Sequence, residues 1–598
     1  MTDDYANAAA ATEERSAQAV PGADGAHCYQ WNLTKSERCD PVTLRYQPEY
    51  VLPIVFVPGI MGSNLKGNGN IHTGSAPVWR LDNSLGAPLG LLFDKIKEGP
   101  GKRQKLLHPD RTVVDPGGAV PSNAVGSIAN RDEYIARGWG EVGEGSYHSY
   151  LKFLEEELNG KPDANGVRKP NATNVIRQLL EGRKKNDPGK NIWTPLRCFE
   201  EPTEDELKAL ARCRMPVYAC GYNWLDDNKI AAKLLLKRIK EVIARNHTQK
   251  IECKQVMIIT HSMGGLVSRA CAKLDGAEKL IAGIINGVMP ANGAAVAYRR
   301  CKVGMWDESV KASLVIGTTG RQVTAVFAQA PGALELLPTQ NYSNDNKDNN
   351  DNKCNKDNKD NKDNKYNRGW LEVHGPDGKS IAATLPATDP YEEIYKRNDR
   401  WWALVKEEWL TPSGGVPISW GDYLDFLETA KKFHTTLTSQ DYHQHTHAFF
   451  GDADKKGETR SFERVTWKMT KGHRQPLGGT KAPTPAQVYE MSAQEVRMTG
   501  SNPERVGGER VINAETNTLD YETSSWDLAA AGQDGSGDGT VPASSGRAPL
   551  DCAKVLQVFK IKGVEHEPAY KDDTVQKLSL YSLCKLVSKS DKPAAVKP

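Results

Sequence analysis

Apolar residues along this chain gather in short bursts separated by long polar stretches. "LPIVFV" (52–57) runs into the glycine-rich "PGIMGSN", and "MPVYACGYNWLDDN" (215–228) runs from an apolar segment into a turn. "KQVMIIT" (254–260), "KLIAGIINGVMP" (279–290) and "KVLQVFKIKG" (554–563) repeat that form. Short apolar runs bounded by Gly, Pro or charge predict strands buried on both faces. "KIAAKLLLKRIKEVIARN" (229–246) places apolar residues at helical spacing with basic residues opposite, and "DTVQKLSLYSLCKLV" (573–587) reads as a closing helix. "YHSYLKFLEEELNG" (147–160) carries a further helical signal. The alternation predicts an α/β protein: a mostly parallel sheet with helices on both faces.

Two long interruptions divide this pattern. Residues 1–50 read as a polar lead-in, 51–80 as the first part of a core, 81–212 as a first insertion or cap, and 213–300 as core again. Residues 301–530 read as a second insertion and 531–598 as the return of the core. Inside the second insertion, the Asp-Asn-Lys repeat at 344–365 has no apolar residue beyond Cys354 and predicts a disordered surface loop.

Composition narrows the partners. With 78 Lys+Arg against 75 Asp+Glu in 598 residues, net +3, nothing points to nucleic acid. The longest apolar runs fall far short of the roughly 20 residues that span a bilayer. "MTDDYANAAAATEERSAQAV" (1–20) has acids where a signal peptide needs positive charge, and no apolar h-region. The expectation is synthesis in the cytoplasm, with any export by a route that needs no cleaved leader. The 11 cysteines are scattered without a Cys-x-x-Cys pair, which predicts mostly reduced packing residues; Cys28 and Cys39 are spaced to bridge a loop.

The candidate chemistry lies in "IITHSMGGLVSRA" (258–270). An apolar run ends, Ser262 sits between small residues, and helical spacing follows, as in a nucleophile elbow. Thr260 stands where the usual pattern has its first glycine. A serine nucleophile needs a base, a carboxylate to orient it and oxyanion donors, in the order Ser, Asp or Glu, His for this arrangement. "GSGDGTVP" (535–542) supplies Asp538, with Asp534 as its competitor. "KGVEHEPAY" (562–570) places His566 after the last strand, flanked by Glu565 and Glu567, which are poorer bases at neutral pH. The second amide of an oxyanion hole would come from Ile60 or Met61 in "VPGIMGSN", the first from Met263.

"VPGIMGSNL", "YNWLDDN", "HSMGGLVSR", "LLPT", "GDGTVP" and "VEHEPAY" together resemble the lecithin:cholesterol acyltransferase-like and PGAP1-like lipases of the α/β-hydrolase superfamily, over roughly a third of the chain. The resemblance implies an α/β-hydrolase fold with two large cap insertions, and Ser262 as nucleophile, Asp538 as acid and His566 as base on lipid esters. "GYNWL", "MPANGAAVAYRR" and "GALELLPTQNY…GWLEV" are similar to bacterial type VI secretion phospholipase effectors. That narrower resemblance implies a secretion-apparatus partner, delivery to the periplasm of a target cell, and a cognate immunity protein. An acyltransferase using the same triad, or a hydrolase-fold binding module, are the alternatives.

The insertions suggest how a membrane substrate is met. "LGAPLGLLFDKIKEG" (85–99) is a lid candidate for peripheral membrane contact, or else a core helix; the tryptophans of "NDRWWALVKEEWL" (398–410) face an interface or are packed. No cofactor is required. Two metal patterns compete with plain structural readings. His443, His445 and His447 alternate, so on a strand they would share one face as a zinc site needs, without a nearby acid or cysteine. Asp452, Asp454, Gly457 and Glu463 match calcium-loop spacing, but Lys456 occupies a ligand position and a hairpin explains the stretch better. Deleting residues 344–365 is expected to leave hydrolytic turnover nearly unchanged; a large loss would place the repeat in the site.

Overall fold

The computed structural model describes three strand segments within 19–46, then residues 50–80, 99–128, 130–162, 168–184, 192–248, 252–305, 308, 317–342, 369–375, 381–453, 458–471, 485–490, 496–499, 510–512, 519–521 and 526–591. The repeat at 344–365, nearly all of the lid candidate, Cys39, Asp454 and Gly457 lie outside these residues, as does the side chain of Cys28.

Among the described residues, seven strands build the central sheet: β1 (Ile54–Val57), β2 (Trp193–Pro195), β3 (Val217–Ala219), β4 (Val256–His261), β5 (Ile281–Gly287), β6 (Thr446–Asp452) and β7 (Val555–Lys562). Their spatial order is β2-β7-β6-β5-β4-β1-β3, and every neighbour is parallel except β2, antiparallel to β7 on the edge. Burial on both faces follows from the covering helices. These are α1 (Ser149–Asn159), α2 (Asn228–Asn246), α3 (Gly264–Ala272), α4 (Trp420–Thr436) and α5 (Asp573–Val587). Alternate residues of β1 and β4 feed two cores. Val55, Val57, Val256 and Ile258 pack with Leu235 and Ile239 of α2 and Leu266 and Val267 of α3. Ile54, Phe56, Met257 and Ile259 pack with Leu151 and Leu154 of α1 and Leu578 and Leu586 of α5. The expected strands and the helices at 229–246 and 573–587 are therefore present.

Several segment readings need correction. Residues 301–530 are not wholly an insertion: β6 lies inside that range, as an interior strand of the sheet between β5 and β7. The hairpin expected around 452–463, with "HAFFG" as its first arm, does not form: β6 pairs in parallel with β5 and β7, whereas the segment after it, 465–471, belongs to a different sheet. The range 81–212 likewise contributes the edge strand β2. The polar lead-in also contains structure, since Ala19–Pro21, His27–Asn32 and Pro41–Tyr46 form an antiparallel sheet. A second sheet of five strands is built from 371–374, 381–385, 465–471, 496–499 and 526–530. Trp401, Trp402 and Trp409 are buried, so the tryptophan-rich segment is packed. No helix among the described residues is long and apolar enough to cross a membrane. Among the described residues, seven cysteines are free and buried, whereas Cys198 is disulfide-bonded.

The three alternating histidines do not share a strand face, because β6 begins only at Thr446. His443 Nδ1 accepts from the His445 amide, His445 Nδ1 meets the Ala282 carbonyl, and His447 Nδ1 meets Ser582 Oγ at 3.0 Å. Burial lowers the His447 pKa to about 3, with Lys585 adding to the effect. On α4, His434 is lowered to about 4 by burial while its ring bonds the Tyr391 hydroxyl and the Glu335 carbonyl.

Both imidazoles stay neutral in the folded state, whereas an unfolded chain protonates them near pH 6.5. Below that pH the unfolded state binds more protons, so stability falls as pH drops from about 6.5 toward 4. A Tm series from about pH 7.5 to 4.5 should decline on its acid side, and His447→Asn, which keeps a partner for Ser582 without titrating, should flatten the decline. A slope unchanged by that substitution would show that His447 takes up its proton while folded.

Candidate active site

The site assembles where β1, β4 and β5 end together. β4 closes at His261, and Ser262 takes a left-handed backbone, φ 51°, before Met263 caps α3. Left-handed backbone costs a residue with a Cβ roughly 1–2 kcal/mol, so the surrounding structure must impose it. Met61 (φ 62°), after β1, and Val288 (φ 45°), after β5, share that geometry at the same edge of the sheet. Two glycines permit the close approach. A Cβ on Gly264 would lie 2.5 Å from the Val57 carbonyl, and one on Gly59 would lie 2.9 Å from both His261 Nδ1 and Ser262 Cβ. Thr260, in place of the motif's first glycine, fits because it is the penultimate residue of β4: it is fully buried and its hydroxyl donates to Asn286 Oδ1 at 2.9 Å.

Three distant segments meet at Ser262. His566 Nε2 lies 2.9 Å from Ser262 Oγ, and His566 Nδ1 lies 2.8 Å from Asp538 Oδ2. Asp538 is buried, and its other oxygen accepts from the amides of Thr540 (3.0 Å) and Val541 (2.7 Å). One oxygen is thus anchored to backbone while the other faces the imidazole. The His566 amide donates to the Asp538 carbonyl at 2.8 Å, tying the two loops together. Gly451 in β6 makes room, since a Cβ there would lie 2.7 Å from Asp538 Cβ. Ser262 is 3% exposed and the His566 side chain 13%, so the pair is screened from bulk water.

The competing acids point elsewhere. Asp534 accepts from the amides of Glu463 and Arg464 and from Arg464 Nε, which makes it a loop fastener. Glu565 pairs with Arg460 at 3.5 Å, and Glu567 accepts from Ser146. Asp452, the described start of the calcium-like stretch, accepts from Ser536 and the Ala453 amide and lies 3.7 Å from Lys560. Glu463, at the other end, is buried, and burial raises its carboxyl to about 7.

Met263 supplies an amide at the N-terminus of α3, where the helix favours negative charge. Opposite it, Gly62 donates to the Gly59 carbonyl at 3.0 Å, closing a tight turn with Ile60 and Met61 at its tip. Trp79 Nε1 holds the Met61 carbonyl, and the Tyr222 hydroxyl holds the Pro58 carbonyl. Among the described residues, the amides of Ile60, Met61 and Met263 donate to no protein acceptor. Two further residues complete the surroundings: His261, inside the serine motif but given no role there, whose ring contacts His566, and Tyr147, which bonds it.

Residues 223–312, which contain Ser262 but neither Asp538 nor His566, match a family model described as the PGAP1-like alpha/beta domain. A chain in the crystal structure of the Tle4-Tli4 complex superposes with a TM-score of 0.65 at 25% identity, covering 90% of this chain and 99% of that one. No curated protein matches. The architecture is that of an α/β hydrolase, as the sequence resemblance implied.

The different surroundings of the two carboxylates predict different failures. Asp534→Asn should lower Tm by loosening the 460–464 segment while sparing the geometry of His566. Asp538→Asn should instead alter His566, read as a changed Nδ1–H resonance in histidine-labelled NMR, because that proton loses its carboxylate partner. An unchanged His566 ring resonance in Asp538→Asn would remove Asp538 from the site.

Proposed function

We propose that this protein is a serine lipase or phospholipase that hydrolyses acyl esters of membrane lipids through Ser262, His566 and Asp538. The observation that carries the reading is the unbroken hydrogen-bond chain from Asp538 through His566 to Ser262 Oγ. Ser262 Oγ attacks the ester carbonyl as His566 Nε2 takes its proton; Asp538 holds the imidazole in the tautomer that accepts at Nε2 and stabilises the imidazolium. The amides of Met263 and of Ile60, with Met61 as the neighbouring choice, would receive the oxyanion. The tetrahedral intermediate collapses as His566 returns the proton to the leaving alcohol, and an acyl-enzyme remains. Water, activated by the same imidazole, then releases the fatty acid.

The antibacterial reading, delivery into the periplasm of a target cell by a type VI secretion apparatus, rests on the sequence resemblance and on the Tle4-Tli4 match. The matched chain was captured in a complex, which supports a cognate protein inhibitor for this one. The bonded Cys198 suits an oxidising compartment such as the periplasm.

Fatty-acid release from phosphatidylethanolamine and phosphatidylglycerol vesicles is the direct test. Wild type should release acid, Ser262→Ala should not while keeping its Tm, and Asp538→Asn should lose about 10⁴-fold in turnover. Release that survives Ser262→Ala would refute the assignment. Acyl transfer to an added alcohol without release would make the protein a transferase on the same triad.

A further inference from the structure

His261 immediately precedes Ser262, and its hydrogen bonds run in one direction. The Gly59 amide donates to the Tyr147 hydroxyl at 3.2 Å. Tyr147 Oη lies 2.9 Å from His261 Nδ1, and His261 Nε2 lies 2.9 Å from the His566 carbonyl. Tyr147 and His261 are both buried. Burial, reinforced by the neighbouring His566, lowers the His261 pKa to about 3, so the ring is neutral at any working pH. A neutral imidazole has a single N–H. A proton on Nδ1 would leave a lone pair facing the His566 carbonyl and the tyrosine proton without an acceptor. Only the Nε2–H form satisfies every group: Gly59 N–H to Tyr147, Tyr147 O–H to His261 Nδ1, and His261 Nε2–H to His566 C=O.

We propose that His261, acting with Tyr147, is a positioning residue that holds the oxyanion loop at Gly59 and the base loop at His566 in register around Ser262. The inference rests on the hydrolase reading of that site. Its physical content is the pairing of backbone groups that belong to separate loops. The His566 backbone is pinned on both sides, its amide by Asp538 O and its carbonyl by His261. The oxyanion turn is pinned from below by Tyr147, which fits so tightly that a Cβ on Gly62 would lie 2.5 Å from its hydroxyl. Neutrality matters as well. The two imidazole centroids are 5.2 Å apart, so a charge on His261 would oppose the charge His566 gains when Ser262 attacks. The rings of Tyr147 and Tyr570 pack against His261 and supply no counter-charge.

Three variants separate positioning from packing: His261→Leu, His261→Gln and Tyr147→Phe, each measured for kcat, KM and Tm on an ester that wild type hydrolyses. His261→Leu should lose roughly 100-fold in kcat with KM little changed, the scale of a small misplacement of reacting groups. His261→Gln carries its amide donor near the position of Nε2 and should recover roughly 10-fold of that loss. Tyr147→Phe should fall between them. A wild-type kcat in His261→Leu, or equal losses in Leu and Gln variants with parallel falls in Tm, would overturn the proposal. A wild type inactive on all esters would refute the hydrolase reading instead. In that event, nitrogen NMR of labelled histidine still decides the relay. His261 should stay neutral with its proton on Nε2 from about pH 5 to 8, and a proton on Nδ1 or a titration in that range would overturn it.

Discussion

Backbone contact between the end of β1 and the turn after β4 is the constraint on which the site depends. These adjacent parallel strands end side by side, and the chain leaves each through a left-handed residue, Met61 or Ser262. The turns pass so closely that Gly59 and Gly264 have no room for a Cβ. With a side chain at either position, the serine turn would be pushed away from the turn after β1. The fully buried sheet beneath opposes any sliding that would relieve the contact, because Val55, Phe56, Ile258 and Ile259 are packed on both faces. Strain at Ser262 is thus maintained by a core that cannot relax around it.

Above that contact the polar groups are buried, and Asp538 alone among those named here is a carboxylate. His261 is neutral, Tyr147 is held protonated by burial, and Asp538 is bonded by two amides and one imidazole. The surroundings of Ser262 therefore consist of oriented dipoles and one carboxylate–imidazole pair, an arrangement in which new charge is stabilised without rearrangement. Asp534, four residues before Asp538, shows the contrast: its oxygens are taken up by Arg464 and two amides, and it stiffens the loop. Two acids in one glycine-rich turn thereby do separate work, decided by which donors each one meets.

Much of the core was legible because burial leaves a mark on local composition. β1, β4, β5 and β7 are apolar runs of strand length, and α2 and α5 carry helical spacing. β6 was legible as an extended run but not its partners: a local hairpin was expected, whereas the strands it pairs with, β5 and β7, lie far away in sequence, so its place between them is a tertiary fact. The alternating histidines misled for a related reason. Alternation specifies a face only where a strand exists, and the strand begins after His445. Tyr147 had no signal at all, since its partner His261 is 114 residues away.

By itself the sequence determined the elements: where strands and helices form, that the sheet is parallel and doubly covered, and which serine sits on a tight strand-to-helix turn. Those are consequences of spacing, residue shape and glycine placement within a few residues. Which carboxylate faces the imidazole, which strands neighbour one another, and what holds the two loops around Ser262 were decided only by the tertiary structure. Hydrogen bonds spanning 28 residues between Asp538 and His566, and 304 between His566 and Ser262, depend on where separate segments come to rest. No local pattern encodes that distance, because it is set by the packing of the whole sheet.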